Sequence, residues 1–272
     1  MRIPFFQVDA FVTQKPFSGN PAGVCLLPGL AEETWMQGLA REINQAETAF
    51  LYPEKDGYRL RWFTPVLEIA LCGHATLASA HALWQEGLLK KDEEARFFTK
   101  SGLLKAVQKD GLIELDFPAT PVVPCEKISG LEESLGAKVV SLGHNGTQYL
   151  AELESAGIVR NLKPDFKKME SYLNAQLHGV IVTAASDEPV YDFVSRFFAP
   201  LAGIPEDPVT GSAHCALGPF WMDRLNKNNF SATQASSRGG ELKVRCEGDR
   251  VYLGGKAVTI LRGEIDPPLD SI

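Results

Sequence analysis

The order of apolar and polar residues predicts several strands. Residues 1–12 are mostly apolar, residues 58–63 alternate between apolar and polar, and Glu47 begins an apolar run. These patterns are typical of strands in a partly buried sheet. Asp110-Gly111 lies between two further strand-like runs and supplies the positive φ angles of a tight hairpin, and Gly248 has the same role later in the chain.

Two helices are predicted from a different spacing. Residues 32–43 place large apolar side chains four residues apart, which predicts an amphipathic helix packed on a sheet. These side chains are Trp35, Leu39 and Ile43. Residues 75–84 are rich in Ala and Leu, with small side chains on every face. We therefore expect this second helix to be central and surrounded by other elements.

The chain contains an internal repeat. Arg-Trp-Phe-Thr-Pro at 61–65 matches Arg-Phe-Phe-Ala-Pro at 196–200, an offset of 135. Further matches have an offset of 138: Gly73 with Gly211, Gly102 with Gly240, Lys105 with Lys243 and Leu115 with Leu253. The two offsets agree if the loop before the second glycine is three residues longer in the second copy. Repetition at half the chain length predicts two similar domains.

Three prolines between 118 and 124 mark the boundary, because proline removes a backbone donor and can extend neither a ladder nor a helix. We place the domains at 1–118 and 119–272, with the last strand a candidate to pack on the first domain. In the second copy, Pro219 lies inside the predicted central helix. It removes the bond to the carbonyl of Cys215, so we expect a kink or an early end there.

Composition excludes several classes of protein. The chain has 272 residues and a net charge of −7, with no basic run longer than two residues, so nucleic acid is not an expected partner. Residues 69–85 are the longest stretch without a charged side chain, but they are too polar to span a membrane. The first twelve residues lack a signal-peptide pattern. The five cysteines are widely spaced and form no CxxC, which favours a reducing, cytoplasmic location.

Three glycine loops are candidate anion sites. Gly73 and Gly211 fall at the starts of the two predicted central helices, where free N–H groups and the helix dipole favour a carboxylate or phosphate. Residues 18–23 form a third glycine loop that contains Asn20. Neither a P-loop nor a GxGxxG motif is present. The alternative for each glycine is a simple turn that needs a positive φ angle.

Titratable residues near these loops suggest acid/base chemistry. The carboxylate of Glu47 has three interpretations. It lies in solvent at the end of a strand, it forms a salt bridge in the core, or it is a general acid/base whose pKa is raised by burial. His74 at a helix start is expected to stay neutral, because the dipole disfavours the imidazolium. His81 and His214 lie in Ala-rich helical stretches and are expected to be core histidines.

Residues 206–212 place two acids, Thr210 and Ser212 in one loop ahead of a helix. One interpretation is an N-cap, in which Thr210 or Ser212 accepts helix N–H bonds, and this is compatible with catalysis. A metal set can be imagined from Cys72, His74, Asp207 and His214. Without HxxxH or CxxC spacing we expect no metal site.

Six motifs resemble those of the PhzF family of phenazine-biosynthesis-like proteins. They are Phe17–Val24 (FSGNPAGV), Glu47–Phe50 (ETAF), Arg61–Pro65 (RWFTP), Leu71–Thr76 (LCGHAT), Glu206–Ala213 (EDPVTGSA) and Ser237–Gly240 (SRGG). The resemblance runs from about residue 4 to residue 263, and the LCGHAT and EDPVTGSA motifs are the most specific.

The resemblance implies the α+β diaminopimelate-epimerase-like fold: two similar domains, each a β-barrel-like mixed sheet wrapped round a central helix, with the active site between them. The type member is a homodimeric isomerase that moves a proton within an unsaturated cyclic amino acid, without cofactor or metal. A small carboxylate is the implied substrate. The implied catalytic residues are Glu47, His74 and Asp207, and the implied substrate-binding residues are Asn20, Gly73, Gly211, Ser212, Gly239 and Gly240.

Two alternatives stay open. Epimerases and racemases of this fold use two cysteines, one at the start of each central helix. Cys72 occupies the first position, but residues 206–213 contain no cysteine. A related vertebrate branch is named for binding a WD-repeat protein, so a binding or scaffold protein without turnover is the second alternative. The sequence looks closer to branches of unassigned substrate than to the phenazine enzyme, so the type reaction is not transferred.

Overall fold

The structure is a computed structural model that describes residues 2–266. The strands are β1 (Ile3–Ala10), β2 (Asn20–Leu26), β3 (Glu47–Glu54), β4 (Gly57–Phe63), β5 (Glu68–Ile69), β6 (Ala95–Thr99), β7 (Gly102–Lys109), β8 (Leu112–Pro118), β9 (Val123–Pro124), β10 (Val139–His144), β11 (Gln148–Leu153), β12 (Gly179–Ala185), β13 (Phe193–Ala199), β14 (Ile204–Asp207), β15 (Asn229–Gln234), β16 (Gly240–Glu247), β17 (Arg250–Gly255) and β18 (Ala257–Ile265). The helices are α1 (Glu33–Ile43), α2 (Gly73–Gln85), α3 (Leu131–Leu135), α4 (Ala156–Asn161), α5 (Phe166–Glu170) and α6 (Gly211–Leu225), with a 3-10 turn at Pro200–Ala202.

The described residues form two compact α+β units. The first comprises residues 2–116 and 254–266, and the second comprises residues 117–253. The chain leaves the first unit within β8 and returns to it within β17. In the first unit β18 pairs antiparallel with β1, so the second unit is shorter than the 119–272 expected from the proline boundary.

Strand pairing is the same in the two units. In the first, β2–β3 and β4–β6 are parallel, whereas β3–β4 and β6–β7 are antiparallel. In the second, β11–β12 and β13–β15 are parallel, whereas β12–β13 and β15–β16 are antiparallel. Tyr58 lies opposite Phe97, and Phe193 lies opposite Ala232, so both partners keep the offset of 135. The repeat in the sequence is therefore a repeat of topology and register.

The central helix of the first unit is α2. It packs against β1, β2, β3 and β18, and its side chains are buried on nearly every face, as the small-residue pattern predicts. In the second unit α6 continues six residues beyond Pro219, so the expectation of an early end is wrong. The carbonyl of Cys215, which loses its helical donor, accepts a hydrogen bond from the backbone N–H of Thr120 at 3.0 Å instead. This replacement removes the penalty of a buried, unpaired carbonyl.

Helix α1 packs on the sheet of the first unit, as its spacing predicts. Met36 and Ala40 are fully buried, and the ring of Trp35 meets that of Phe50 edge to face at 6.1 Å. Helix α1 ends at Asn44, which adopts the left-handed conformation and donates its N–H to Ala40. Within residues 2–266, no helix has the length and apolar character needed to span a membrane.

A two-point ion pair occupies the same position in each unit. Arg61 donates from Nε and Nη2 to the two carboxylate oxygens of Glu68, each at 2.8 Å. Arg196 donates in the same way to Glu206, at 2.6 and 2.9 Å. Paired N–H donors on one carboxylate fix the relative geometry of the two side chains as well as their charge. The pairs join β4 to β5 and β13 to β14.

Each arginine is also held over a phenylalanine two residues along its strand. The guanidinium of Arg61 lies 5.1 Å from the ring centre of Phe63, and that of Arg196 lies 5.0 Å from Phe198. Arg196 additionally donates to the carbonyls of residues 159 and 162. The acidic partner stands five residues before the first glycine of the central helix in both units. The ion pair therefore fixes the segment that leads into each helix.

We predict that Glu206→Gln lowers the free energy of unfolding by about 3–5 kcal/mol, because it leaves the buried guanidinium of Arg196 without a counter-charge. Glu68→Gln should cost less, because Arg61 keeps its second partner, Glu33. Urea titration followed by circular dichroism measures both losses.

Glu188→Gln is the control. It breaks the ion pair of Glu188 with Arg160, in which the carboxylate side chain is 52% exposed, and should cost no more than about 1 kcal/mol. Equal losses for Glu206→Gln and Glu188→Gln would show that the two-point pair does not support the fold.

Candidate active site

Four of the sequence-predicted residues come together in the first unit. Asn20 and Glu47 are the first residues of the parallel neighbours β2 and β3. Cys72 is the N-cap of α2, and His74 is the second residue of that helix. Two strand starts and one helix start thus converge on a single cluster.

The imidazole of His74 is the centre of this cluster. Its Nε2 lies 3.0 Å from Oε2 of Glu47, and its Nδ1 lies 3.1 Å from the amide nitrogen of Asn20. Nδ1 is also 3.5 Å from the Sγ atom of Cys72. His74 is 4% exposed and Glu47 is 8% exposed, so the cluster is almost fully removed from water.

The surroundings of His74 correct the expectation that it stays neutral. Burial alone would lower the pKa of His74, but its close contacts with Cys72 and Glu47 raise the pKa well above its usual value. The expectation considered the helix dipole and not a buried carboxylate 3.0 Å away. A protonated ring carries a hydrogen on Nδ1, which requires the amide of Asn20 to present its oxygen rather than its nitrogen.

The carboxylate and the thiol of the cluster differ in their readiness to exchange a proton. Within residues 2–266, no aligned hydrogen-bond donor reaches Oε2 of Glu47, because the ring N–H of His74 is close but not directed at it. Burial and the charge of Glu47 raise the pKa of the Cys72 thiol to about 11. At neutral pH Cys72 is therefore a thiol, whereas Oε2 of Glu47 can accept a proton.

The loops at the cluster have the features expected of an anion site. The N-cap of α2, Cys72, makes no side-chain cap bond to the first turn, which begins at Gly73. Gly19 has a φ of 79°, and a Cβ there would lie 2.4 Å from the carbonyl oxygen of Ala10. Only glycine fits this position, which leads directly into Asn20.

A second cluster forms at the start of α6 in the second unit. Thr210 donates its hydroxyl to Oδ2 of Asp207 at 2.6 Å. The sequence suggested that Thr210 or Ser212 caps the helix, but the N-cap Thr210 makes no side-chain cap bond. Its hydroxyl donates to the carboxylate of Asp207 instead of accepting a hydrogen bond from the N–H groups of the first helical turn.

Two buried glutamines hold this second cluster, and the sequence did not single them out. Gln234 donates to the carbonyl of Asp207 at 2.7 Å and accepts from the backbone N–H of Thr210 at 2.9 Å. Gln148 donates to the hydroxyl of Ser212 at 3.0 Å. Each stands at an end of its strand beside other polar residues but on the buried face, Gln148 with Leu150 and Gln234 with Ala232, and this place in the alternation is the signal that could have identified it.

The Ser-Arg-Gly-Gly motif lies beside the same loop. Ser236 donates its hydroxyl to the carbonyl of Pro208 at 2.9 Å and accepts from the N–H of Gly239 at 3.0 Å. Gly239 has a φ of 71°, and Gly240 begins β16. The second unit thus brings Asp207, Gly211, Ser212, Gly239 and Gly240 to one group of loops.

Equivalent positions in the two units carry different chemistry. At an offset of 138, Cys72 corresponds to Thr210 and His74 corresponds to Ser212. Phe63 lies opposite Thr48 and Phe198 lies opposite Val180, so the preceding residues, Glu47 and Gly179, correspond as well. A Cβ on Gly179 would lie 2.4 Å from the ring of Phe197. The second unit therefore has no room for a counterpart of Glu47.

The two remaining helical histidines each contact a neighbouring oxygen, and His214 reaches the second cluster through the carbonyl of Thr210. Nε2 of His81 is 3.1 Å from the hydroxyl of Thr259. His214 is fully buried, with Nδ1 2.8 Å from the carbonyl of Thr210 and its ring stacked on Phe193. Burial lowers the pKa of His214 to about 4.

Of the residues considered for a metal, Cys72 and His74 do share a site, and the third donor is Glu47. One donor atom from each of these three buried residues lies within 4.8 Å of the others. Spacing along the sequence could not indicate this group, because Glu47 stands far from Cys72 and His74 in the chain.

Comparison with known proteins gives consistent matches. A family model described as phenazine biosynthesis-like protein (PhzC-PhzF) matches residues 8–263. An uncharacterized isomerase of Halalkalibacterium halodurans is 49% identical over 270 residues, which cover 97% of this chain and 99% of the relative. A PhzF-family crystal structure from Enterococcus faecalis has a TM-score of 0.92 and 40% identity, over 98% of this chain and 100% of that one. A Pseudomonas aeruginosa structure described as a predicted epimerase has a TM-score of 0.74 at 21% identity, over 97% and 99%, and shows the fold alone.

We predict that the free energy of unfolding falls by about 3 kcal/mol as the pH drops from 6.5 to 4, through His214. The folded state keeps His214 neutral down to about pH 4. The unfolded chain takes up the proton near pH 6.5, so acid favours unfolding within this window. Chemical unfolding at a series of pH values measures the slope.

His214→Asn should flatten that slope, because the amide keeps a donor for the carbonyl of Thr210 and does not titrate. His178→Asn, at a half-buried position in a loop, is the control and should leave the slope unchanged. An unchanged slope in His214→Asn would contradict the assignment.

Proposed function

Because this chain belongs to the phenazine biosynthesis-like (PhzC-PhzF) family, it is an isomerase, and we propose that it moves a proton within a small carboxylic acid with Glu47 as the single acid/base. The reaction uses side chains and backbone amides of this chain and needs no cofactor. The observation that carries the proposal is the buried contact between Glu47 and His74, in which Oε2 of Glu47 has no aligned donor within the described residues.

The proposed reaction conserves atoms and electrons. The carboxylate of Glu47 takes a proton from a carbon of an unsaturated or amino acid substrate, and the C–H electron pair enters the adjacent conjugated group. The double bond shifts, and the carboxylic acid of Glu47 exchanges its proton with water in a fraction of turnovers and returns a proton to a second carbon. One carboxylate performs both steps if the two carbons present the same face to it.

The setting of Glu47 suits this role. Its side chain is buried, so water does not compete with the substrate for its oxygens. The ring of His74 lies 3.0 Å from Oε2 of Glu47 and holds it in place. As Glu47 takes up the proton, the ring N–H groups of His74 are the nearest donors for negative charge that develops on the substrate.

The start of α2 is the proposed anchor for the substrate carboxylate. The first turn has backbone N–H groups without a side-chain cap, and the positive end of the helix dipole lies there. Gly73 has no side chain to obstruct an approaching anion. A carboxylate bound at Gly73 lies next to His74, the following residue of the helix.

We extend the proposal to the second unit, where Asp207 and Ser212 bind polar groups of the substrate together with the amides of Gly211, Gly239 and Gly240. The rigid arrangement of the loop supports this extension. The side chain of Gln234 hydrogen-bonds to the carbonyl of Asp207 and to the backbone N–H of Thr210. A loop held by buried hydrogen bonds keeps its polar groups in place without ordering on binding.

A cysteine-dependent racemase is the competing function, and the contact of 3.5 Å between Cys72 and His74 is the observation in its favour. Such an enzyme needs opposed acid and base groups, and the counterpart of Cys72 is Thr210, a hydroxyl bonded to Asp207. The thiol of Cys72, with a pKa of about 11, is also a poor base at neutral pH. These features favour the single carboxylate.

We predict that Glu47→Gln slows exchange of substrate hydrogen for deuterium by about 10²–10⁴-fold, the usual contribution of a general acid/base. Proton NMR of small unsaturated and amino carboxylic acids in heavy water measures the rate. Glu54→Gln, at the other end of β3, is the matched control and should exchange as fast as the unaltered protein.

Cys72→Ala separates the two functions in the same assay. The proposal expects a far smaller loss than in Glu47→Gln, whereas a two-thiol racemase loses all exchange. Wild-type exchange in Glu47→Gln rules out the role assigned to Glu47.

Asp207→Asn should slow the reaction about tenfold or more, equivalent to about 1.4 kcal/mol of lost transition-state stabilisation. The amide oxygen still accepts the hydroxyl of Thr210, so the loop is kept and only the charge is removed. Steady-state kinetics, with thermal melting to check the fold, measures the effect. An unchanged rate with an unchanged melting temperature would remove Asp207 from the proposed site.

A further inference from the structure

We propose that Glu47, Cys72 and His74 also form a binding site for a thiophilic divalent cation, with Zn²⁺ the best fit, and that the bound cation inhibits the isomerase. The binding itself stands on the geometry of the three side chains. Only the inhibition rests on the proposed role of Glu47 as acid/base.

The distances within the cluster are close to those of a tetrahedral site. Zinc bonds of about 2.0–2.1 Å to nitrogen and oxygen and about 2.3 Å to sulfur place N and O ligands about 3.3 Å apart and N and S ligands about 3.5 Å apart. Nε2 of His74 lies 3.0 Å from Oε2 of Glu47 and 4.0 Å from Sγ of Cys72. Small side-chain rotations complete three corners of the tetrahedron.

The chemistry of the donors selects the cation. A thiolate and an imidazole prefer borderline metals such as Zn²⁺ and Co²⁺, whereas Mg²⁺ and Ca²⁺ prefer sets made of oxygen alone. Binding of the cation releases the thiol proton of Cys72 and one ring proton of His74 to the solvent. The resulting thiolate and the carboxylate of Glu47 together carry two negative charges, and His74 binds in its neutral form. A divalent cation therefore gives a neutral group, which avoids burying net charge.

Hydrogen bonds within the first unit already hold the proposed metal ligands Cys72 and His74 in place. Cys72 and His74 are fixed at the start of α2, where the carbonyl of Cys72 accepts bonds from the N–H and the hydroxyl of Thr76. With Nε2 on the metal, Nδ1 of His74 carries a hydrogen, and Asn20 at 3.1 Å can accept it with its amide oxygen. An acceptor on the far nitrogen is the usual means of orienting a metal-bound histidine.

Occupancy of this site has a direct consequence for the proposed reaction. An oxygen of Glu47 bonded to Zn²⁺ has lost its basicity and cannot take a proton from carbon. The fourth corner of the tetrahedron has no protein ligand in this set, so a water or a substrate carboxylate completes it. The bound cation therefore blocks proton transfer by Glu47 and leaves the fold intact.

Titration of the full chain with Co²⁺ tests the binding without any substrate. We expect stoichiometric uptake with the near-ultraviolet charge-transfer absorption of a cobalt–thiolate bond, and loss of that absorption when Zn²⁺ is added. Cys72→Ser should abolish the band, with Cys72→Ala as the second variant if the first loses its circular dichroism. Cys125→Ser, at the most accessible of the described cysteines, is the control and should keep the band.

Asn20→Ala tests the orienting role separately. The band should remain while the affinity for Co²⁺ falls about 10–100-fold, the usual effect of removing such a partner. Absence of a thiolate band in the unaltered chain, or its persistence in both Cys72 variants, overturns the site.

The inhibition is measured by hydrogen–deuterium exchange of a substrate. Zn²⁺ should stop exchange and a chelator should restore it, whereas Mg²⁺ should have no effect. Cobalt binding with exchange unaffected by Zn²⁺ would retain the metal site but overturn the inhibition. Loss of exchange in Glu47→Gln is measured without added metal. Failure of the metal site and failure of the proposed function therefore give different results.

Discussion

The two-point ion pair between arginine and glutamate is the interaction on which both halves of this protein depend. Arg61 with Glu68, and Arg196 with Glu206, join a strand to the short strand that leads into the central helix. Each glutamate stands five positions before the first glycine of its helix. Because each pair is bidentate and stacked over a phenylalanine, it fixes the direction as well as the position of the approach. The N-terminus of each helix, where the candidate site residues lie, is positioned by this constraint.

On this shared framework the two units carry different side chains. The strand and helix starts that place Glu47, Cys72 and His74 in the first unit place Gly179, Thr210 and Ser212 in the second. The ring of Phe197 fills the space that a side chain at Gly179 would need, and the hydroxyl of Thr210 is hydrogen-bonded to Asp207. The two units thus share the backbone and the ion pair, whereas the carboxylate of Glu47 in the first unit is replaced by Gly179 in the second. This asymmetry favours one proton-carrying group over an opposed pair.

The first-unit cluster is chemically versatile because it is buried and compact. A carboxylate, an imidazole and a thiol within 4.8 Å of one another can share a proton or hold a cation, and both proposals use the same oxygen of Glu47. Low exposure strengthens each of these interactions, since water does not screen them. The proposed proton transfer and the proposed cation site therefore draw on the same three side chains.

The sequence by itself determined the internal repeat, the central helices and their starting glycines, because these depend on local spacing and on the conformational freedom of glycine. It also indicated the candidate site residues through their motifs. Tertiary structure decided their chemistry. The pKa of His74 depends on Glu47, which is distant in the chain, and the continuation of α6 past Pro219 depends on a donor from Thr120. The roles of Gln148 and Gln234 likewise follow from contacts between segments far apart in sequence. Spacing along a chain predicts local geometry, but electrostatic environment and hydrogen-bond partners are set by which segments the fold brings into contact.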